Sequence, residues 1–120
     1  MLRHQNLIAW QRADDLFVRV HRLAAERFPP SERFELTSQI RRAGYSVAAN
    51  IVEGMARRSV PQQLHFLNMS EASLAEVAYC LHVARRLGYI TSAEFTDVDT
   101  QIQRVFAPLT GLIRRTRETG

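Results

Sequence analysis

The chain has 120 residues, of which 46% are hydrophobic and 23% charged, and it carries a formal charge of +4. This length suits one domain with one core, and the composition excludes a disordered tail. A lone Cys80 and the lack of an apolar run of roughly 18 residues exclude an internal disulfide, a cysteine-rich zinc site and a membrane span.

The N-terminal stretch MLRHQNLIAWQRADDLF is too polar, and too soon acidic, for a secretory signal, so a reducing cytoplasm is the expected compartment. Residues 1–6 are expected to form a short tail, and residues 7–118 a four-helix bundle. The first helix, about 7–28, follows Asn6 as N-cap, with Trp10, Ala13, Phe17, Val20, Ala24 and Phe28 recurring every three or four residues. Pro29 and Pro30 end it, because proline cannot continue the helical hydrogen-bond ladder. The second helix, about 32–57, carries Leu36, Ile40, Ala43, Val47 and Ile51 on one stripe. Ser59 with Gln62 three residues on, and Pro61 between them, predicts the start of a third helix over 60–87, closed by Gly88. Thr91 and Glu94 form a second capping-box pattern before a fourth helix over 92–117. Its stripe is Phe95, Val98, Ile102, Val105, Leu109 and Leu112, and Pro108 is expected to bend it.

No segment alternates with the period of a strand, so the fold is expected to be all-α. Short links make consecutive helices antiparallel, in an up-down-up-down arrangement. The third helix has a core line of Leu67, Leu74, Ala78 and Leu81, with Phe66, Met69, Val77, Tyr79, Cys80 and Val83 on its other faces. A helix apolar nearly all round needs cover on more than one side, which predicts an oligomer, with Phe66, Met69, Tyr79 and Val83 at the interface.

Beside the stripe of the second helix runs a polar row of Gln39, Arg42, Ser46, Asn50, Glu53 and Arg57, each three or four residues from the next. Gly44, Ala48 and Ala49 are small enough for close approach of another helix. A catalytic reading of the row needs a second acid or base, for which Asp14 and His21 are the available partners. A di-metal bundle site needs Glu-x-x-His, and no Glu or Asp here precedes a His by three. The row is therefore read as a structural seam that sets helix register, with no catalytic residue, metal, cofactor or small-molecule substrate expected.

Residues Phe28, Pro29 and Glu32, the run Leu36, Gln39, Ile40, Arg41, Arg42 and Ala43, then Asn50, Ile51, Glu53 and Gly54 form a combined pattern. Phe66 and Leu67 continue it, followed by Ser73, Leu74, Ala75 and Glu76. On these residues the chain resembles the family first noticed as reading frames within intervening sequences of bacterial large-subunit ribosomal RNA. The likeness covers about residues 8–91 and departs from the family pattern at Gly44 and Ala72, each a position where local packing is expected to differ. The resemblance implies a cytosolic antiparallel four-helix bundle assembled as a homopentameric ring. It also implies similarity in architecture to the accessory protein of diversity-generating retroelements, a basic pentameric barrel that engages nucleic acid and reverse transcriptase. No catalytic residue comes with it.

All sixteen basic residues are arginine, whose forked guanidinium suits carboxylates and phosphates. In an up-down-up-down bundle the C-terminal ends of the second and fourth helices meet, which gathers Arg57, Arg58, Arg114, Arg115 and Arg117. Such a zone is expected to hold RNA or DNA through its backbone, with little sequence preference. The helix dipole alone also favours cations at these positions. The sequence thus points to a non-enzymatic, homo-oligomeric accessory or scaffold protein that contacts RNA or DNA. The alternative is a protein-protein assembly module without nucleic acid.

Overall fold

The computed structural model describes residues 3–120 and contains four α-helices and, among those residues, no strand. They are α1 (Ile8–Arg27), α2 (Leu36–Ala56), α3 (Val60–Arg86) and α4 (Ser92–Thr119). The molecule is a rod of 45 × 25 × 24 Å, the length expected of its longest helix at about 1.5 Å per residue. Each helix packs on the next, and α4 returns to α1; α1 and α3, like α2 and α4, sit on diagonals. Among the described residues no helix is long and apolar enough to cross a membrane.

Local chemistry sets the helix ends. Asn6 is not the cap of α1: it closes a 3-10 turn over Arg3–Asn6, and Leu7 takes the cap position with extended dihedrals. The Leu7 N–H donates to His4 O at 2.9 Å, which winds the backbone before the helix begins. His4, within the stretch expected to be a tail, is buried edge-on against Trp10, 4.7 Å between ring centres. α2 starts at Leu36, after a 3-10 turn over Pro30–Glu32. The Glu32 carboxylate stays outside the helix, accepting from the Leu36 N–H at 3.3 Å and from the Tyr89 hydroxyl at 2.7 Å. Ser59 caps α3 by accepting from the Gln62 N–H at 3.3 Å. Gly88, at φ 78°, ends α3 in a region that side chains rarely adopt. There the Gly88 N–H donates to Arg85 O and the Tyr89 N–H to Ala84 O, satisfying carbonyls that the last turn leaves free. At α4 both halves of the capping box form: Glu94 N–H to Thr91 Oγ1 at 3.0 Å, and Thr91 N–H to Glu94 Oε1 at 2.9 Å.

α4 continues through Pro108. Proline has no N–H, so the carbonyl four residues back, on Arg104, has no helical donor. The Arg12 guanidinium of α1 supplies one at 2.9 Å.

The core holds most of the predicted stripes together with Leu16 and Leu23 of α1; Trp10, Leu36 and Phe95 pack against it half-buried, and Phe17 lies outside it beside Tyr45. Gly44 lets α1 lie close on α2, since a β-carbon there would sit 2.9 Å from Val20 Cγ2. α3 differs most from expectation. Val77 and Cys80, expected on its outer faces, are core residues at 0% and 4% exposure, whereas Ala78 is only half-buried. Ser70 and Ala84 are buried as well, so the inward face of α3 is turned by about 50° from the expected line. Burial, followed by the charge of Glu76, raises the Cys80 thiol to about 11, which leaves it protonated and unreactive near neutral pH.

Candidate nucleic-acid interface

The polar row of α2 divides into an internal middle and exposed flanks. Asn50 is buried, and its amide donates to Ser46 O at 2.9 Å and to Ser46 Oγ at 2.8 Å. Ser73 of α3 donates to the same Ser46 Oγ at 2.8 Å, and the fully buried Ser70 donates to Val47 O at 2.6 Å. This serine–asparagine cluster joins α2 to α3. Glu53 and Arg42, however, are exposed, as is Gln39. Arg42 reaches only Ser38 on its own helix, and Glu53 pairs with Arg57 one turn on at 3.1 Å. Arg42 and Glu53 lie about 80° and 60° round the helix from Asn50, on the side away from the apolar stripe. Gln39, in contrast, is about 20° from Asn50 and is exposed in the first turn of α2, where it lines a groove. The seam is thus shorter than the six-residue row, and two of its three hydroxyls come from α3.

Asp14 and Glu53 both line a cavity of about 310 Å³ between α1 and α2, with Trp10, Phe17 and Tyr45. Neither His21 nor Asn50 lines it. Among the described residues no three His, Cys, Asp or Glu side chains are grouped as metal ligands.

The arginine end is built from three segments. Arg58 follows α2, Arg115 belongs to the last turns of α4, and Arg3 comes from the N-terminal 3-10 turn. All three line one cleft of about 350 Å³, with Val60 and Gln63 from the start of α3 and Leu112, Thr116 and Thr119 from α4. Gly120 abuts Val60 at its rim. No carboxylate is among the lining residues, and among the described residues the three guanidiniums make no ion pair. Arg57 stands apart: its guanidinium pairs with Glu53 and lies 4.8 Å over the Phe66 ring. Arg114 and Arg117, on α4 as well, are exposed but do not line the cleft. Arg3 has no place in the sequence-based group, because no periodic signal marks a short 3-10 turn.

At the opposite end a groove of about 680 Å³ runs between the start of α2 and the end of α3. Phe34, Tyr79 and Leu87 are 83%, 67% and 54% exposed there, beside Glu32, Glu35 and Glu76. Tyr79 and Val83 line it, whereas Phe66 and Met69 do not. Phe66 lies about 140° round α3 from Tyr79 and about 20 Å along it, so the four proposed contact residues do not share one flat face.

Three comparisons bear on kinship. No curated protein matches the chain. A solved structure from Bacteroides thetaiotaomicron VPI-5482, a protein of unknown function from the S23 ribosomal protein family, is similar over 89% of this chain and 96% of its own. Its TM-score of 0.82 at 23% identity shows a shared fold. The family model for the 23S rRNA-intervening sequence protein matches residues 5–111, from the N-terminal turn through most of α4. With both the four-helix packing and this span of sequence in agreement, the chain belongs to the 23S rRNA-intervening sequence protein family.

Proposed function

We propose that the protein is a non-enzymatic, cytoplasmic accessory or scaffold protein that holds RNA or DNA at its arginine-rich end. In this reading the bundle is antiparallel, up-down-up-down, and assembles as a homopentameric ring. The direction of the helices is supported by pairings such as Arg27 with Glu94 at 2.6 Å and Arg12 with Arg104 O at 2.9 Å. The ring is supported by the exposed apolar surface of α3, including Met69 and Tyr79.

The observation that carries the reading is the set of arginines at one end that make no ion pair among the described residues, Arg58 and Arg115 on the cleft with Arg114 and Arg117 nearby. Cations that merely cap helices need not converge from separate segments. Without aromatic rows for base stacking, such a surface binds through phosphates and counterion release. Polarisation titrations of generic single-stranded RNA across a salt series test it. Reversing Arg114, Arg115 and Arg117 to Glu is expected to flatten the salt slope by about 0.7 per arginine engaged; an unchanged slope refutes the assignment.

A second reading, a protein-binding assembly module, is favoured by the acidic, aromatic groove at the other end. Recovery of the native protein with a polypeptide and no nucleic acid would select it.

A further inference from the structure

We propose that the cleft between Arg3, Arg58 and Arg115 is a phosphate-binding site, taking one phosphate group of a nucleic-acid strand; this rests on the nucleic-acid reading above. The donor inventory leads there. Of the polar side chains on the cleft wall, Thr116 donates its hydroxyl proton to Leu112 O at 2.8 Å, and Thr119 donates to Arg115 O at 2.9 Å. The Gln63 amide donates to Arg57 O at 3.0 Å. The wall is completed by Met55, Val60 and Leu112, which have no polar side-chain group. Among the described residues the free donors are chiefly the guanidiniums of Arg3, Arg58 and Arg115, the last with Nη1 close to Gly111 of its own helix. Each carries five N–H groups in a rigid fork.

A ligand that satisfies them brings negative charge and several acceptor oxygens in a compact shape. A phosphate does so, and bidentate contacts of this kind are the strong ones. The cleft, at about 350 Å³, also leaves room for an attached sugar. An ammonium or a neutral sugar is disfavoured, because among the described residues no side-chain carboxylate lines the wall. The three arginines come from segments more than 50 residues apart in sequence, so their convergence depends on the completed fold.

Isothermal titration of the full-length protein with inorganic phosphate, at fixed ionic strength held with chloride, tests the site. Saturable binding is expected, weakened at least about tenfold in the triple variant Arg3→Ala, Arg58→Ala, Arg115→Ala, and unaltered in Arg86→Ala. The single variant Arg115→Lys keeps the charge without the fork and is expected to lie between them; it also serves if the triple variant melts early. A wild type with no saturable phosphate binding, or a folded triple variant that binds like the wild type, overturns the proposal. Oligonucleotides with and without a 5′-phosphate distinguish the source. Preference for the phosphorylated strand supports a terminal monoester, and equal binding that is lost in the triple variant supports an internal diester. RNA binding that survives intact in the triple variant sinks the cleft while leaving the nucleic-acid reading in place. Phosphate binding without RNA binding does the reverse.

Discussion

Ser46 accepts two hydrogen bonds at its hydroxyl, from Asn50 on its own helix and from Ser73 on α3, both at 2.8 Å. Replacing it with alanine removes both. A net hydrogen bond contributes about 0.5–1.5 kcal/mol, and Asn50 retains its bond to the Ser46 carbonyl. The expected loss is about 1–2 kcal/mol, offset by about 0.5 kcal/mol from alanine's better helix propensity. At about 2.1 cal/mol/K per residue, a chain of this length has an unfolding entropy near 0.25 kcal/mol/K, so the melt should fall by about 2–6 °C. Propensity cancels in a double-mutant cycle of Ser46→Ala with Ser73→Ala, where the coupling should be about 1 kcal/mol. Urea unfolding at one fixed protein concentration measures it, since self-association would otherwise shift the midpoint. Coupling below about 0.3 kcal/mol would refute the view that this cluster ties α2 to α3.

Glu94 is held below the usual carboxylate range, first by its bond from the Thr91 N–H and also by Arg27. The stability advantage of wild type over Glu94→Gln should therefore be fully present above about pH 4.3 and vanish as pH falls through the lowered value, followed by acid unfolding. The Tyr89 phenol is raised, chiefly because it donates to Glu32. Its advantage over Tyr89→Phe should persist up to about pH 10 and disappear as pH rises through the raised value, followed by alkaline melts. An advantage independent of pH would remove either bond from the account. Placing charge on the apolar face of α3 with Tyr79→Glu should lower the oligomeric mass in light scattering at micromolar concentration; a wild type that is already monomeric would exclude the ring.

Much of the helical framework is legible in the sequence, because its determinants are local. Val98, Ile102, Val105, Leu109 and Leu112 repeat at the helical period and all face the core. Thr91 and Glu94, only three residues apart, close their box within one turn. What escapes such reading depends on partners distant in the chain. Glu32, in a 3-10 turn ahead of α2, receives the hydroxyl of Tyr89, 57 residues away. Ser70 and Ser73 look like ordinary polar positions until the register of α3 against α2 brings them to Val47 and Ser46. Val77 and Cys80 read as outward-facing because the leucines set the apparent core direction of α3, whereas the buried Ser70 and Ala84, which turn it, carry no strong apolar signal. Arg3 joins Arg58 and Arg115 only because the first turn folds back over the end of α2.

Through its contact with the Arg104 carbonyl, Arg12 gives the last helix a donor that its own ladder lacks. A peptide of α4 alone would have a gap in its ladder opposite Pro108 and should fray there in water. During synthesis α1 leaves the ribosome long before α4, so the missing donor is already waiting when the final rod arrives. Docking and completion of that rod should then occur together, as one cooperative step.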